Sequence, residues 1–280
     1  MSIPEVAAPP RVGRDLAVRV AVGIGLLALV AASLLIRKEA FVALAVVVTV
    51  MALWELAQAF ARRGVAVPVP PLLVGAVGIV LTAYLAGAEA MLVATLLTAG
   101  AVVVWRVLDG GGTAAVRDAA AGVFAAVYVP FLVGFAMLLL AAPDGVARVV
   151  LFILLPVAVD TGGYFVGSRF GRHPMAPTVS PKKSWEGLAG SVGLAAVVGA
   201  VGGWLLLDLP VWAGIALGLA VVAAAALGDL AESLIKRDLG VKDMASVLPG
   251  HGGVLDRIDS LLLSVPIVHL FLATVAPVAS

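Results

Sequence analysis

The chain has 280 residues, 62% of them hydrophobic and only 12% charged, with a formal net charge of +1. A soluble domain of this length needs a polar surface that so few polar residues cannot build, and no dense basic stretch offers a nucleic-acid surface. Cysteine is absent, which excludes disulfides, thiol nucleophiles and thiolate metal sites.

Apolar runs long enough to cross a bilayer core as helix recur from end to end. Nine spans are predicted, at about 16–36, 40–60, 68–86, 88–107, 119–141, 146–166, 187–207, 210–228 and 258–278. The first follows Arg11 and Arg14 and exceeds the apolar core of a signal peptide, so it reads as a retained helix. The third opens in Val-Pro-Val-Pro-Pro, where proline suits a helix start. The fourth and fifth are separated by a turn at Gly110 to Gly112. The expected fold is all-α, a polytopic membrane protein forming one integral unit: N-terminal helices over 1–145 and a C-terminal region over 146–280.

Lysine and arginine set the expected orientation. With nine crossings and the N-terminus inside, 14 of the 18 basic residues fall on the inner side. Arg37, Lys38 and Arg148 fall outside, and Arg19 lies within the first span. That asymmetry supports an N-in, C-out topology in the cell (plasma) membrane.

Two inner segments carry most of the remaining titratable residues. The first, residues 160–187, reads DTGGYFVGSRFGRHPMAPTVSPKKSWEG; the second, residues 228–260, reads GDLAESLIKRDLGVKDMASVLPGHGGVLDRIDS. In a helix, Asp229, Glu232, Ser233 and Lys236 share one face, as do Asp256 and Asp259. Aspartates at the ends of adjoining spans, with Asp160 near the end of the sixth, suit a hard divalent cation. Helix capping or pairing with arginine accounts equally well for any one of them. Lys182, Lys183, Lys236, Arg237, Lys242 and Arg257 supply anion-binding charge beside those carboxylates, and a metal–polyphosphate site explains the mixture better than a lipid anchor. His251, in Gly-His-Gly-Gly, can donate to phosphate. His269 reads as packing and His173 as a solvated loop residue. Glu55 is an intramembrane acid with no evident partner, for which a helix-end position is the simpler explanation.

The run from Ser233 to Asp259 resembles the signature of the phosphatidate cytidylyltransferases, or CDP-diacylglycerol synthases: Ser-x-x-Lys-Arg, Lys-Asp, Pro-x-His-Gly-Gly and Asp-Arg-x-Asp. Ser233, Lys236, Arg237, Lys242, Asp243, Pro249, His251, Gly252, Gly253, Asp256, Arg257 and Asp259 match it. The earlier segment is similar to two further family elements, with Gly163 where alanine is more usual and Ser184 where threonine is more usual. The resemblance runs from about residue 156 to the C-terminus; ahead of it only hydrophobicity and span number agree.

The resemblance implies a membrane enzyme that joins CTP to phosphatidic acid at the cytoplasmic face, among membrane lipids, with magnesium, alone or with a second cation. It implies Asp229 and Asp256 as first metal ligands, with Asp160 and Asp259 next. The implied catalytic set is Asp229, Asp256, Asp259, Lys236, Arg237, His251 and Arg257. Substrate contacts are implied for Ser180, Lys182, Lys183, Ser184, Ser233, Lys242, Asp243, Gly252 and Gly253. A homodimer is compatible with the sequence. The competing readings are another CTP-dependent lipid enzyme, such as a polyprenol kinase or an archaeal-type lipid cytidylyltransferase, and a lipid or anion transporter.

Overall fold

A computed structural model of the protein describes residues 12–110, 112–176, 180–241, 243–245 and 252–277. Helix α1 spans Val12–Ile36 and α2 spans Lys38–Arg62. They are followed by α3 (Val69–Leu108) and α4 (Ala115–Ala126). A π-helical turn, Val127–Phe131, joins α4 to α5 (Leu132–Ala141). Next come α6 (Gly145–Phe170), α7 (Trp185–Leu207), α8 (Val211–Leu239) and α9 (Leu255–Val275). Counting α4, the π turn and α5 as one continuous rod, seven helices among the described residues are long and apolar enough to cross a membrane. The α1 helix adds an apolar stretch, Val22–Ile36. The chain is an all-α, multi-pass membrane protein.

The 40-residue α3 would be about 60 Å long if straight, twice the hydrocarbon thickness of a bilayer. It folds back instead at Gly87, whose φ of 85° and ψ of −170° are not helical. The arms before and after this glycine coincide with the third and fourth predicted spans. They pack against one another so closely that a Cβ at Gly75 would overlap the Thr98 side chain. The π turn has an equally local cause: Pro130 lies inside it and cannot donate the amide that a regular helix requires.

Helices α6, α7 and α8 are drawn together by small residues. Added Cβ atoms at Gly162 or Gly218 would collide with the carbonyl groups of Gly190 and Ala195 on the facing helices. With no hydrophobic drive between helices in lipid, close backbone approach of this kind is what holds them together. Ser191 Oγ donates to the Val159 carbonyl at 2.6 Å and fixes the α6–α7 register.

Two features lie beyond what the span prediction covered. In the segment containing Ser-Pro-Lys-Lys-Ser, β1 (Pro174–Ala176) pairs antiparallel with β2 (Ser180–Ser184). The eighth span also does not stop at residue 228, since α8 continues about three turns to Leu239 before Gly240 ends it in the left-handed conformation (φ 67°). Charged residues beyond the bilayer core still form helix, and hydropathy alone cannot see them.

Polar side chains gather at two opposite ends of the bundle. At one end, Lys38 Nζ donates to the Ala142 carbonyl at 2.5 Å, and Arg148 pairs with Asp144 at 2.6 Å and donates to the Ala276 carbonyl at 2.7 Å. His269 packs edge-on to Phe135, its ring centre 5.5 Å away, as a packing residue should. The other end carries both motif segments. Beneath it lies a core patch in which Leu53 and Leu56 of α2 meet Leu72, Leu239, Met244, Val254 and Leu255.

Gly87→Ala is expected to destabilise the detergent-solubilised protein by about 1–3 kcal/mol, the cost of a side chain in a glycine-only conformation. Gly100→Ala has open space around its Cβ and is expected to leave thermal unfolding unchanged. Equal unfolding temperatures for the two variants would show that the Gly87 turn is not required.

Candidate active site

Helices α6, α7 and α8 and strand β2 enclose a cavity of about 500 Å³, lined among others by Asp160, Tyr164, Lys183, Ser184, Ser191 and Asp229. Much of its wall is apolar, as expected among membrane helices, and the charged lining residues are Asp160, Lys183 and Asp229. Lys183 Nζ donates to Asp229 Oδ2, so the first motif segment is tied directly to the second. Asp160 lies in the field of Asp229, Asp259, Lys183 and Arg257.

Local chemistry explains how β2 delivers Lys183 here. Ser184, the residue after it, is the N-cap of α7, its hydroxyl accepting the Gly187 amide at 3.1 Å. Glu186 in the first turn accepts the Arg172 and His173 amides at 3.1 and 3.3 Å and pairs with His173 Nδ1 at 2.6 Å. The reversal after α6 is therefore clamped to the start of α7. His173, read from sequence as simply solvated, is exposed but partnered.

A second charged centre lies between α8 and α9. Lys236 Nζ bridges Glu232, one turn earlier, and Asp256, both at 2.8 Å. Asp256 is buried; it also accepts the Met244 amide at 3.2 Å and the Gly253 amide at 2.8 Å. Its carboxylate thus binds a lysine on α8 and folds the chain that leads into α9. Gly252, at φ 81°, has no room for a Cβ, which would lie 2.8 Å from Asp256 Oδ2. Glu232 and Asp259 are within hydrogen-bonding reach of one another. A Cβ at Gly228 would come within 3.0 Å of the Asp259 carbonyl, so glycine lets α9 start against α8.

Of the site residues read from sequence, the structure brings Asp160, Lys183, Ser184 and Asp229 to one cavity, and Lys236, Asp256 and Asp259 to the adjoining centre. Ser233 and Arg237 lie on α8, Arg257 is exposed in the first turn of α9, and Asp243 is exposed between the two helices. Ser180 and Lys182 lie on β2; Lys242 and His251 lie outside the described residues.

Three residues were not assigned to the site from sequence. Glu232 had its i, i+4 spacing to Lys236 as a signal. Tyr128, on the π turn, is buried with no hydrogen-bond partner for its hydroxyl among the described residues, in the field of Glu232, Asp259 and Asp229. Glu55, expected to have no evident partner, is 2% exposed and accepts the Val254 and Leu255 amides at 2.8 and 2.9 Å. An acid inside a span is itself the signal there.

The donors suit a hard cation. They are carboxylate oxygens in excess over the lysines that pair them, which is the ligand chemistry of magnesium. Among the described residues no three carboxylates or histidines already converge as a metal cage.

A family profile described as "Cytidylyltransferase family" matches residues 17–275. The chain belongs to this family. It is 37% identical over 266 residues to the phosphatidate cytidylyltransferase of Mycobacterium bovis, covering 91% of this chain and 87% of that one. It is 36% identical over 273 residues to that of Mycobacterium leprae, covering 91% and 86%. A shorter match to the Haemophilus influenzae enzyme is 47% identical over 131 residues, 43% of this chain and 46% of that one. The family match takes in the N-terminal helices, which motif reading alone left unassigned.

If Lys183 and Asp229 join the two segments energetically, Lys183→Met and Asp229→Asn should not act independently. Their effects on unfolding in detergent are expected to depart from additivity by about 0.5–3 kcal/mol, as contacting charged groups do. Strict additivity would mean that the pair does not hold the segments together.

Proposed function

We infer that the chain is a phosphatidate cytidylyltransferase, transferring CMP from CTP to phosphatidic acid to give CDP-diacylglycerol and pyrophosphate. The observation that carries this reading to a site is the Lys183–Asp229 pair, which joins both motif segments at one cavity among membrane helices. A water-soluble triphosphate and a lipid phosphate need such a place to meet.

A phosphate oxygen of phosphatidic acid attacks the α-phosphorus of CTP; the new P–O bond forms as the bond to pyrophosphate breaks. The acceptor is already an anion, so no protein nucleophile or base is required. The obstacle is repulsion between two polyanions, and catalysis rests on charge neutralisation and alignment. Lys183, with Lys236, Arg237 and Arg257, supplies the positive charge, and Ser180, Ser184 and His251 add hydrogen bonds. Lys183 and Lys236 are held in advance by carboxylates, so their ammonium groups are oriented before phosphate arrives.

Magnesium would be held first by Asp229 and Asp256, with Asp160 and Asp259 next. When bound it supplies Lewis-acid neutralisation of phosphate charge. The orientation proposed for the bundle places the motif-bearing end in the cytoplasm and Gly87 outside, in the plasma membrane. The basic-residue asymmetry supports it.

The test is conversion of labelled CTP and phosphatidic acid to a lipid-soluble cytidine product by the purified protein. Asp256→Asn keeps the side-chain shape but removes the charge facing Lys236. It is expected to lower turnover at least about 100-fold per folded molecule, beyond any loss of thermal stability caused by weakening the acceptor of Lys236 and of the Met244 and Gly253 amides. Full activity in that variant at saturating magnesium would remove Asp256 from the site. Chelation should abolish the wild-type reaction, and added magnesium should restore it.

Single cysteines test the orientation without background, since the chain has none. Replacements at exposed Arg172 and Asp238 are expected to resist an impermeant thiol reagent in intact cells, while Ala88→Cys is labelled. The reverse pattern would overturn the orientation.

A further inference from the structure

We propose that α2 is a positioning helix of the active site: Glu55 and Arg63 hold the two ends of the chain between α8 and α9 and thereby set Asp256 against Lys236.

At the α9 end, Glu55 is 2% exposed and accepts the Val254 and Leu255 amides at 2.8 and 2.9 Å. These are the first amides of α9, whose own N-cap residue, Val254, provides no side-chain acceptor. The preceding amide, Gly253, goes to Asp256 at 2.8 Å. Three consecutive amides are therefore gripped by two carboxylates, one from α2 and one from the site itself. At the α8 end, Arg63 Nε donates to the Leu239 carbonyl at 2.8 Å.

The signs of the two charges match the helix ends they meet, a carboxylate at an N-terminus and a guanidinium at a C-terminus. Glu55 and Arg63 are eight residues apart, about 12 Å along the helix, so α2 acts as a spacer between the stems. Both stems also carry a glycine where the α2 charge presses in. A Cβ at Gly253 would lie 2.5 Å from Glu55 Oε2, and one at Gly240 would overlap the Arg63 guanidinium. Met244, fully buried against this same part of α2, donates its amide to Asp256. The geometry explains why an acidic side chain sits within a membrane helix far in sequence from both motif segments: it organises backbone rather than binding substrate.

The proposal rests on the cytidylyl-transfer reading, and its test has one readout independent of turnover. Hydrogen–deuterium exchange of peptides covering residues 252–256 and 236–241 is compared in wild type, Glu55→Ala, Glu55→Gln, Arg63→Ala and Arg63→Lys. Glu55→Ala is expected to speed exchange at 252–256, and Arg63→Ala at 236–241. In the cytidine-transfer assay both alanine variants should lower kcat at least tenfold per folded molecule, with KM for phosphatidic acid within twofold. Glu55→Gln, which keeps one acceptor oxygen, should fall between wild type and Glu55→Ala. Val47→Ala, on the exposed face of α2, is the control and should match wild type. Unchanged exchange in the alanine variants overturns the proposal even if the wild type does not turn over CTP. So does a kcat loss that merely tracks the unfolded fraction, or a Glu55→Gln variant no better than Glu55→Ala. If the alanine variants do not fold, wild-type exchange and kcat in Glu55→Gln and Arg63→Lys overturn it equally.

Discussion

A charge carried into a membrane bundle has to find its partner inside the protein, because lipid supplies neither counter-ion nor hydrogen bond. That constraint organises the functional end of this molecule. Lys183 on β2 meets Asp229 on α8, Lys236 on α8 meets Asp256 on α9, and Glu55 on α2 meets the first amides of α9. Each link crosses between separate elements of the chain. Removing one partner would leave a poorly solvated charge behind, which is more costly than the pair is worth when intact. The charges proposed to neutralise phosphate are thus also ties between helices.

Small residues make those ties geometrically feasible. Where Gly162 meets Gly190 and Gly218 meets Ala195, backbone lies directly against backbone, bringing α6 and α8 close to α7. The cavity that holds Asp160, Lys183 and Asp229 lies among these three helices. Larger side chains would separate the helices and draw Lys183 away from Asp229. Alanine- and glycine-rich composition, uninformative about chemistry when read along the chain, sets the scale of the site once the helices pack.

The N-terminal helices take on a role that hydropathy did not suggest. They supply the core patch beneath the chain leading into α9, where Leu53 and Leu56 pack with Met244, Val254 and Leu255. They also contribute the buried Tyr128 hydroxyl, which has no hydrogen-bond partner among the described residues and lies in the field of the carboxylates. A motif confined to the C-terminal part of the chain therefore works on a foundation built by the rest.

Composition and periodicity were enough to establish an all-α, multi-pass membrane protein, because a bilayer restricts lipid-facing chains to long apolar helices. The resemblance of Ser233 to Asp259 to the family signature was enough to point to the family, because so many chemically distinct positions rarely coincide. The turn at Gly87 falls between the third and fourth predicted spans, which end at about 86 and begin at about 88. Other features were decided only in three dimensions. The β1–β2 hairpin and the polar extension of α8 depend on local pairing and capping that hydropathy does not register. Glu55 looked solitary because its partners are backbone amides about 200 residues away, and amides carry no residue-type signature. Likewise, nothing in the sequence says that Lys183 faces Asp229: a side chain's partner is set by helix packing, and that packing is a property of the whole bundle.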